Sequence, residues 1–69
     1  MDKNKLLYFI KAKGYRVDDF CKILSIGKPT LYRRCKENSF RIKDVLEIAN
    51  VLNLTQDDIN SIFFADIVS

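Results

Sequence analysis

Histidine is absent from the 69 residues, and cysteine occurs only as Cys21 and Cys35. A structural zinc site needs four such ligands, so these two thiols cannot build one. A single disulfide would be a thin framework for a secreted mini-protein, and both thiols are expected reduced in a cytoplasmic setting. Proline occurs once and glycine twice, with no Ser-rich or Gln-rich tract, so neither a linker nor a low-complexity segment is expected. Long apolar runs are missing as well. Near the start, Leu6-Leu7-Tyr8-Phe9-Ile10 is too short for the apolar region of a signal peptide, and far short of the roughly 20 residues that span a bilayer. No membrane partner is expected.

The length excludes a multidomain enzyme, and the composition excludes a collagen-like chain or a disordered one. With 48% hydrophobic and 30% charged residues, residues 1–69 read as a single small folded domain. Enzymatic chemistry lacks its parts. There is no histidine base, no Gly-rich phosphate loop and no nucleophile–base pairing. The acidic pairs Asp18-Asp19 and Asp57-Asp58 fall at helix starts, where carboxylates complement the positive helix end. No catalytic residue, metal ligand, cofactor or small-molecule substrate is expected.

One absence points somewhere. Lys and Arg are missing from residues 44–69, which hold five acids. Residues 1–43 hold all 12 bases against four acids. A basic surface on part of a small domain is an electrostatic footprint for a polyanion.

Apolar residues recur at three- and four-residue spacing, without sustained alternation, which predicts an all-α chain of five short helices. The first runs from about Lys3 to Lys13, with Leu6, Phe9 and Ile10 on one face and Gly14 suited to the turn beyond. The second spans about Val17 to Leu24, with Phe20, Cys21 and Leu24 inward. Ser25-Ile26-Gly27 forms a turn, with Gly27 as N-cap of the third helix and Pro29 in its first turn. That helix runs to about Lys36, with Leu31 inward and Cys35 one turn on. After a polar loop, the C-terminal helices fall within about 42–64. Val45, Ile48, Ala49 and Leu52 face inward on the fourth, Asn53 ends it, and Thr55 with Asp58 forms a capping-box pair for the fifth.

Two short helices joined by a three-residue turn cross steeply, and the second can project from the body. The crossing needs a small residue midway along the first helix, an apolar residue in the turn and a branched residue inward on the second. Cys21, Ile26 and Leu31 supply them. The outward residues of the third helix are then Lys28, Pro29, Thr30, Tyr32, Arg33 and Lys36. That face carries donors and positive charge, with no carboxylate of its own before Glu37, as entry between two rows of phosphates requires.

The stretch Val17-Asp-Asp-Phe-Cys-Lys-Ile-Leu-Ser-Ile-Gly-Lys-Pro-Thr-Leu-Tyr-Arg-Arg resembles the helix-turn-helix of the Cro/Xre type, found in phage repressors and many bacterial regulators. The helix-turn-helix would occupy about residues 17–36, and Phe40 to Phe64 is similar to the closing helices of small phage-encoded Cro-like proteins. The resemblance implies a compact five-helix, lambda-repressor-like DNA-binding domain. It places Lys28, Pro29 and Arg33 toward base edges, with Thr30 and Tyr32 on the flanks. Arg41 and Lys43 match backbone-clamping positions, and Lys36, Asn38 and Ser39 extend them. The chain departs from the pattern at three places. Arg16 and Val17 stand where a capping Ser or Thr and a phosphate-anchoring Gln are usual, so Arg16 would act by direct charge. Ser25 replaces a Gly, and Cys21 replaces a small Ala. Arg33 and Arg34 also read as solvated surface charges, and Tyr32 as a packed aromatic.

The function implied is a sequence-specific transcriptional regulator, a Cro-like repressor in a bacterial host cytoplasm, binding a pseudo-palindromic double-stranded operator. The alternative is a protein-interaction module that binds another phage repressor through its acidic, apolar C-terminal part. An antitoxin role is disfavoured, because the chain has no separate toxin-wrapping tail. Phe63, Phe64, Ile67 and Val68 crowd the last segment. One of the adjacent phenylalanines is expected buried and the other free for a homodimer or a partner regulator. A tail folded back on the first helix is the competing expectation.

Overall fold

The computed structural model describes residues 1–67, and Val68 lies outside the described residues. Five helices and no strand are present among the described residues: α1 (Lys3–Ala12), α2 (Val17–Ile23), α3 (Lys28–Glu37), α4 (Ile42–Leu52) and α5 (Gln56–Phe63). The all-α expectation holds, with helix ends within a residue of those the pattern predicts.

Local chemistry sets most of these ends. The Asp2 side chain accepts from the Lys5 N–H at 3.0 Å and caps α1. Thr55 and Asp58 exchange bonds of 3.0 and 3.1 Å at the start of α5, as the capping box requires. Gly27 precedes α3, and Pro29 occupies its first turn, where a missing N–H costs little.

Four helices stop in the same way. Gly14, Ser25, Asn38 and Asn53 all have positive φ. In each case the next residue's N–H reaches back to a carbonyl five residues earlier: Tyr15 to Ile10, Ile26 to Cys21, Ser39 to Arg34 and Leu54 to Ala49. This is the Schellman arrangement, which satisfies the last carbonyls and turns the chain sharply. Glycine accepts that backbone freely and asparagine tolerates it. Ser25, at φ +58°, is the strained member. It stands at the α2–α3 turn, where the resemblance to Cro/Xre-type helix-turn-helices implies Gly.

The core gathers residues from every helix. Leu6 and Ile10 come from α1, Phe20 from α2, Cys35 from α3, Val45, Ile48 and Leu52 from α4, and Ile62 and Phe63 from α5. Phe40, in the loop after α3, meets Phe63 edge-on at 5.7 Å between centroids. Cys21 and Leu31, the pair that the steep crossing of α2 and α3 demands, are both buried. Complete burial of Leu31 stabilises the fold by about 1.5–3 kcal/mol.

The start and the last described turn of the chain are tied together. The Asp2 N–H donates to the Ile62 carbonyl at 2.7 Å, and the N-terminal ammonium meets Asp66 at 2.9 Å. Phe63 is buried while Phe64 and Ile67 stay exposed. The tail therefore folds back toward α1 and still leaves an apolar edge, which combines the two expectations.

Candidate nucleic-acid interface

The face of α3 is built by its anchors. Leu31 and Cys35, four residues apart, point inward and fix the rotation of the helix. That rotation turns Lys28, Pro29, Arg33 and Lys36 to solvent and leaves Thr30 and Tyr32 half-buried. Beyond the helix, Asn38, Ser39, Arg41 and Lys43 are also exposed, as is Arg16 ahead of α2. Arg16 makes no side-chain capping bond.

Three contacts between helices modify this face. Lys28 Nζ lies 3.5 Å from Asp18 Oδ1, in the first turn of α2. The expectation of a carboxylate-free face thus holds for α3 itself before Glu37 but not for the assembled surface. Lys3 Nζ stands 4.6 Å from the centroid of the Tyr32 ring, a cation–π contact. Lys3, Tyr32, Arg33 and Lys36 line one shallow depression, so α1 contributes charge to the edge of α3. Arg34 Nη1 lies 3.6 Å from Asp44 Oδ2, and both side chains are only 21% exposed.

Asp44 has further work. It accepts from the Arg41 N–H at 3.1 Å and lies 4.0 Å from Arg41 Nε. An arginine side chain has no acceptor, so Asp44 alone bonds across the start of α4. The same carboxylate thereby joins α3 to α4 and holds the backbone of Arg41. Arg34 is tied into the body, whereas its neighbour Arg33 is exposed and forms no ion pair among the described residues.

The sequence reading missed Lys3, Asp18 and the Arg34–Asp44 pair. A signal for Arg34 was present, because Leu31, Arg34 and Cys35 share one side of a helix at i, i+3 and i+4. Lys3 and Asp18 reach α3 only through tertiary packing, which no local spacing reports.

Neither thiol is poised to react. Burial pushes the Cys21 thiol up from its usual range, with the nearby Asp18 charge adding to the effect and Lys28 opposing it. Burial also raises Cys35, against the lowering pull of Lys3. A raised pKa keeps both as neutral core groups at physiological pH. No cluster of three or more metal-binding side chains occurs among the described residues. No described helix is long and apolar enough to cross a membrane.

No curated protein and no solved structure matches the chain. The family model for the Cro/C1-type HTH DNA-binding domain does match, over residues 5–64. That span takes in all of α2 through α5 and most of α1, including the outward basic face of α3. The chain belongs to the Cro/C1-type helix-turn-helix DNA-binding domain family.

Proposed function

We propose that residues 1–69 act as one domain, a sequence-specific regulator of transcription of the Cro-like phage repressor kind, working in a bacterial cytoplasm. The observation that carries this reading is the division of α3, with Leu31 and Cys35 buried and Lys28, Pro29, Arg33 and Lys36 facing solvent. In this reading α3 enters the major groove. Lys28 and Arg33 donate to guanine O6 and N7, and Pro29 makes an apolar contact to a thymine methyl. Arg16, Thr30, Tyr32, Lys36, Asn38, Ser39, Arg41 and Lys43 engage the flanks and phosphates. Lys3 joins them through its place over Tyr32. Affinity falls steeply with salt, because each neutralised phosphate releases counterions.

Selection of duplexes from a randomised pool, followed by titration of the enriched sequence, tests the assignment. Lys28→Ala and Arg33→Ala should each weaken binding by about 1–3 kcal/mol and relax preference at one base position. Unchanged affinity and unchanged preference in both would remove the assigned readout.

A second reading has one observation in its favour. Phe64 and Ile67 are exposed and share a groove with Phe40, Val45 and Phe63. In the regulator this edge would pair two copies on a pseudo-palindromic site, presenting recognition helices about 34 Å apart. In the rival it would hold another regulator. Phe64→Ser separates these from a purely monomeric protein. It should reduce cooperativity on a two-half-site duplex and leave half-site affinity unchanged.

A further inference from the structure

We infer that Asp18 is a specificity-determining residue: its carboxylate engages Lys28 and keeps that lysine from binding duplex DNA indiscriminately. The inference rests on the reading of α3 as the base-reading helix. Asp18 is the one carboxylate, among the described residues, that pairs with an α3 side chain in the exposed part of that face. Asp18 Oδ1 lies 3.5 Å from Lys28 Nζ, with the side chains 70% and 46% exposed. The pair is therefore open to solvent and can exchange. Asp19 is equally acidic and adjacent in sequence, yet forms no ion pair among the described residues.

The effect differs between wrong and right DNA. A complex with a random duplex is loose and hydrated, and Lys28 there would trade one solvated anion for another. Such an exchange gains little. Meanwhile Asp18 remains near the phosphates and repels them. On a matched duplex, Lys28 points at a guanine edge. An ammonium has three donors, so it can give two to O6 and N7 and keep the third on Asp18. The carboxylate then restrains a flexible four-carbon stem in the productive geometry. Asp18 thus weakens binding to wrong sequences more than to the right one, which is discrimination by a repulsive element.

The test compares affinities for two duplexes of equal length, one enriched from a random pool by the wild-type chain and one with its sequence scrambled. Asp18→Asn should raise affinity for the scrambled duplex about threefold and leave the enriched duplex unchanged or weaker. It should also steepen the salt dependence on the scrambled duplex by about one counterion. Asp19→Asn removes the same charge one residue away and should not change the ratio of the two affinities. In a Lys28→Met background, Asp18→Asn should lose its effect on the ratio. Thermal melting by circular dichroism confirms folding, and Asp18→Ser serves as a second variant with a side chain suited to the helix start. The inference is overturned if the ratio is unchanged, if Asp19→Asn reproduces the shift, or if the shift persists without Lys28. If the wild-type chain enriches no duplex at all, the function reading itself fails, a different result from these.

Discussion

The third and fourth helices are nearly equal in length and opposite in design. Of ten residues, α3 buries Leu31 and Cys35; of eleven, α4 buries Val45, Ile48 and Leu52. Four cations lie between Lys28 and Lys36 on α3, whereas α4 has one, Lys43. The outward side of α4 even spares apolar residues, with Ile42 and Leu46 exposed. A helix that turns most of its surface to solvent cannot also supply many core contacts. It is held in place by Leu31, by the first turn that Gly27 and Pro29 set, and by Asp44 on its neighbour. The fourth helix, with one cation and three buried anchors, carries apolar residues on both sides.

The contrast breaks most visibly at Leu31. Leu31→Ala should destabilise the fold by about 3 kcal/mol, read as a lowered thermal midpoint. A midpoint near the wild-type value would mean that α3 is held by something other than its one large buried side chain. Next in size is the cap of α5. Thr55→Ala should lose about 1 kcal/mol, seen in denaturant titration. The Asp58 carboxyl is held below its ordinary range, chiefly by the hydrogen bond from the Thr55 backbone N–H. A carboxyl with a lowered folded pKa stabilises above its unfolded value, near 4, and the contribution disappears as pH falls through the lower folded value. The stability gap between wild type and Asp58→Ala should therefore be full at neutral pH and close on acidification below about pH 4.

Ser25→Gly should act in the other direction. It relieves a left-handed serine at the turn between α2 and α3, and should stabilise by about 0.5–1 kcal/mol after the greater freedom of glycine in the unfolded chain is counted. No gain would show that the serine backbone is unstrained. The smallest effect separates two adjacent arginines. Arg34→Ala should lower stability by about 0.5 kcal/mol through the lost Asp44 contact, and Arg33→Ala should leave stability unchanged. Equal melting of the two variants would erase the division of labour on α3.

The helices were legible because their signals are local. Gly14 and Asn53 end helices by backbone tolerance, Gly27 and Pro29 start one, and Thr55 with Asp58 caps another. The inward residues followed from periodicity, and the steep α2–α3 crossing from the pattern Cys21, Ile26 and Leu31. The face of α3 was legible for the same reason, since burying Leu31 and Cys35 leaves little choice about what points outward. What escaped was every contact between separate helices that involves charge. Asp18 reads as a helix-start residue and also neutralises Lys28. Asp44 reads as one acid among several and joins two helices. Lys3 reads as the first residue of a helix and rests over the Tyr32 ring. Long polar side chains reach whatever packing brings near them, and spacing along one helix carries no information about the next.

The contact between Lys3 and Tyr32 has a practical consequence. The chain contains no tryptophan, and its three tyrosines are Tyr8, Tyr15 and Tyr32. Tyr32 alone among them belongs to α3, with an ammonium resting on its ring. Under the proposed function, Tyr32 would serve as an optical reporter of binding. Ultraviolet emission, unmasked by any indole, should change when a duplex draws the ammonium away, and Tyr32→Phe should silence the response where Tyr8→Phe and Tyr15→Phe do not.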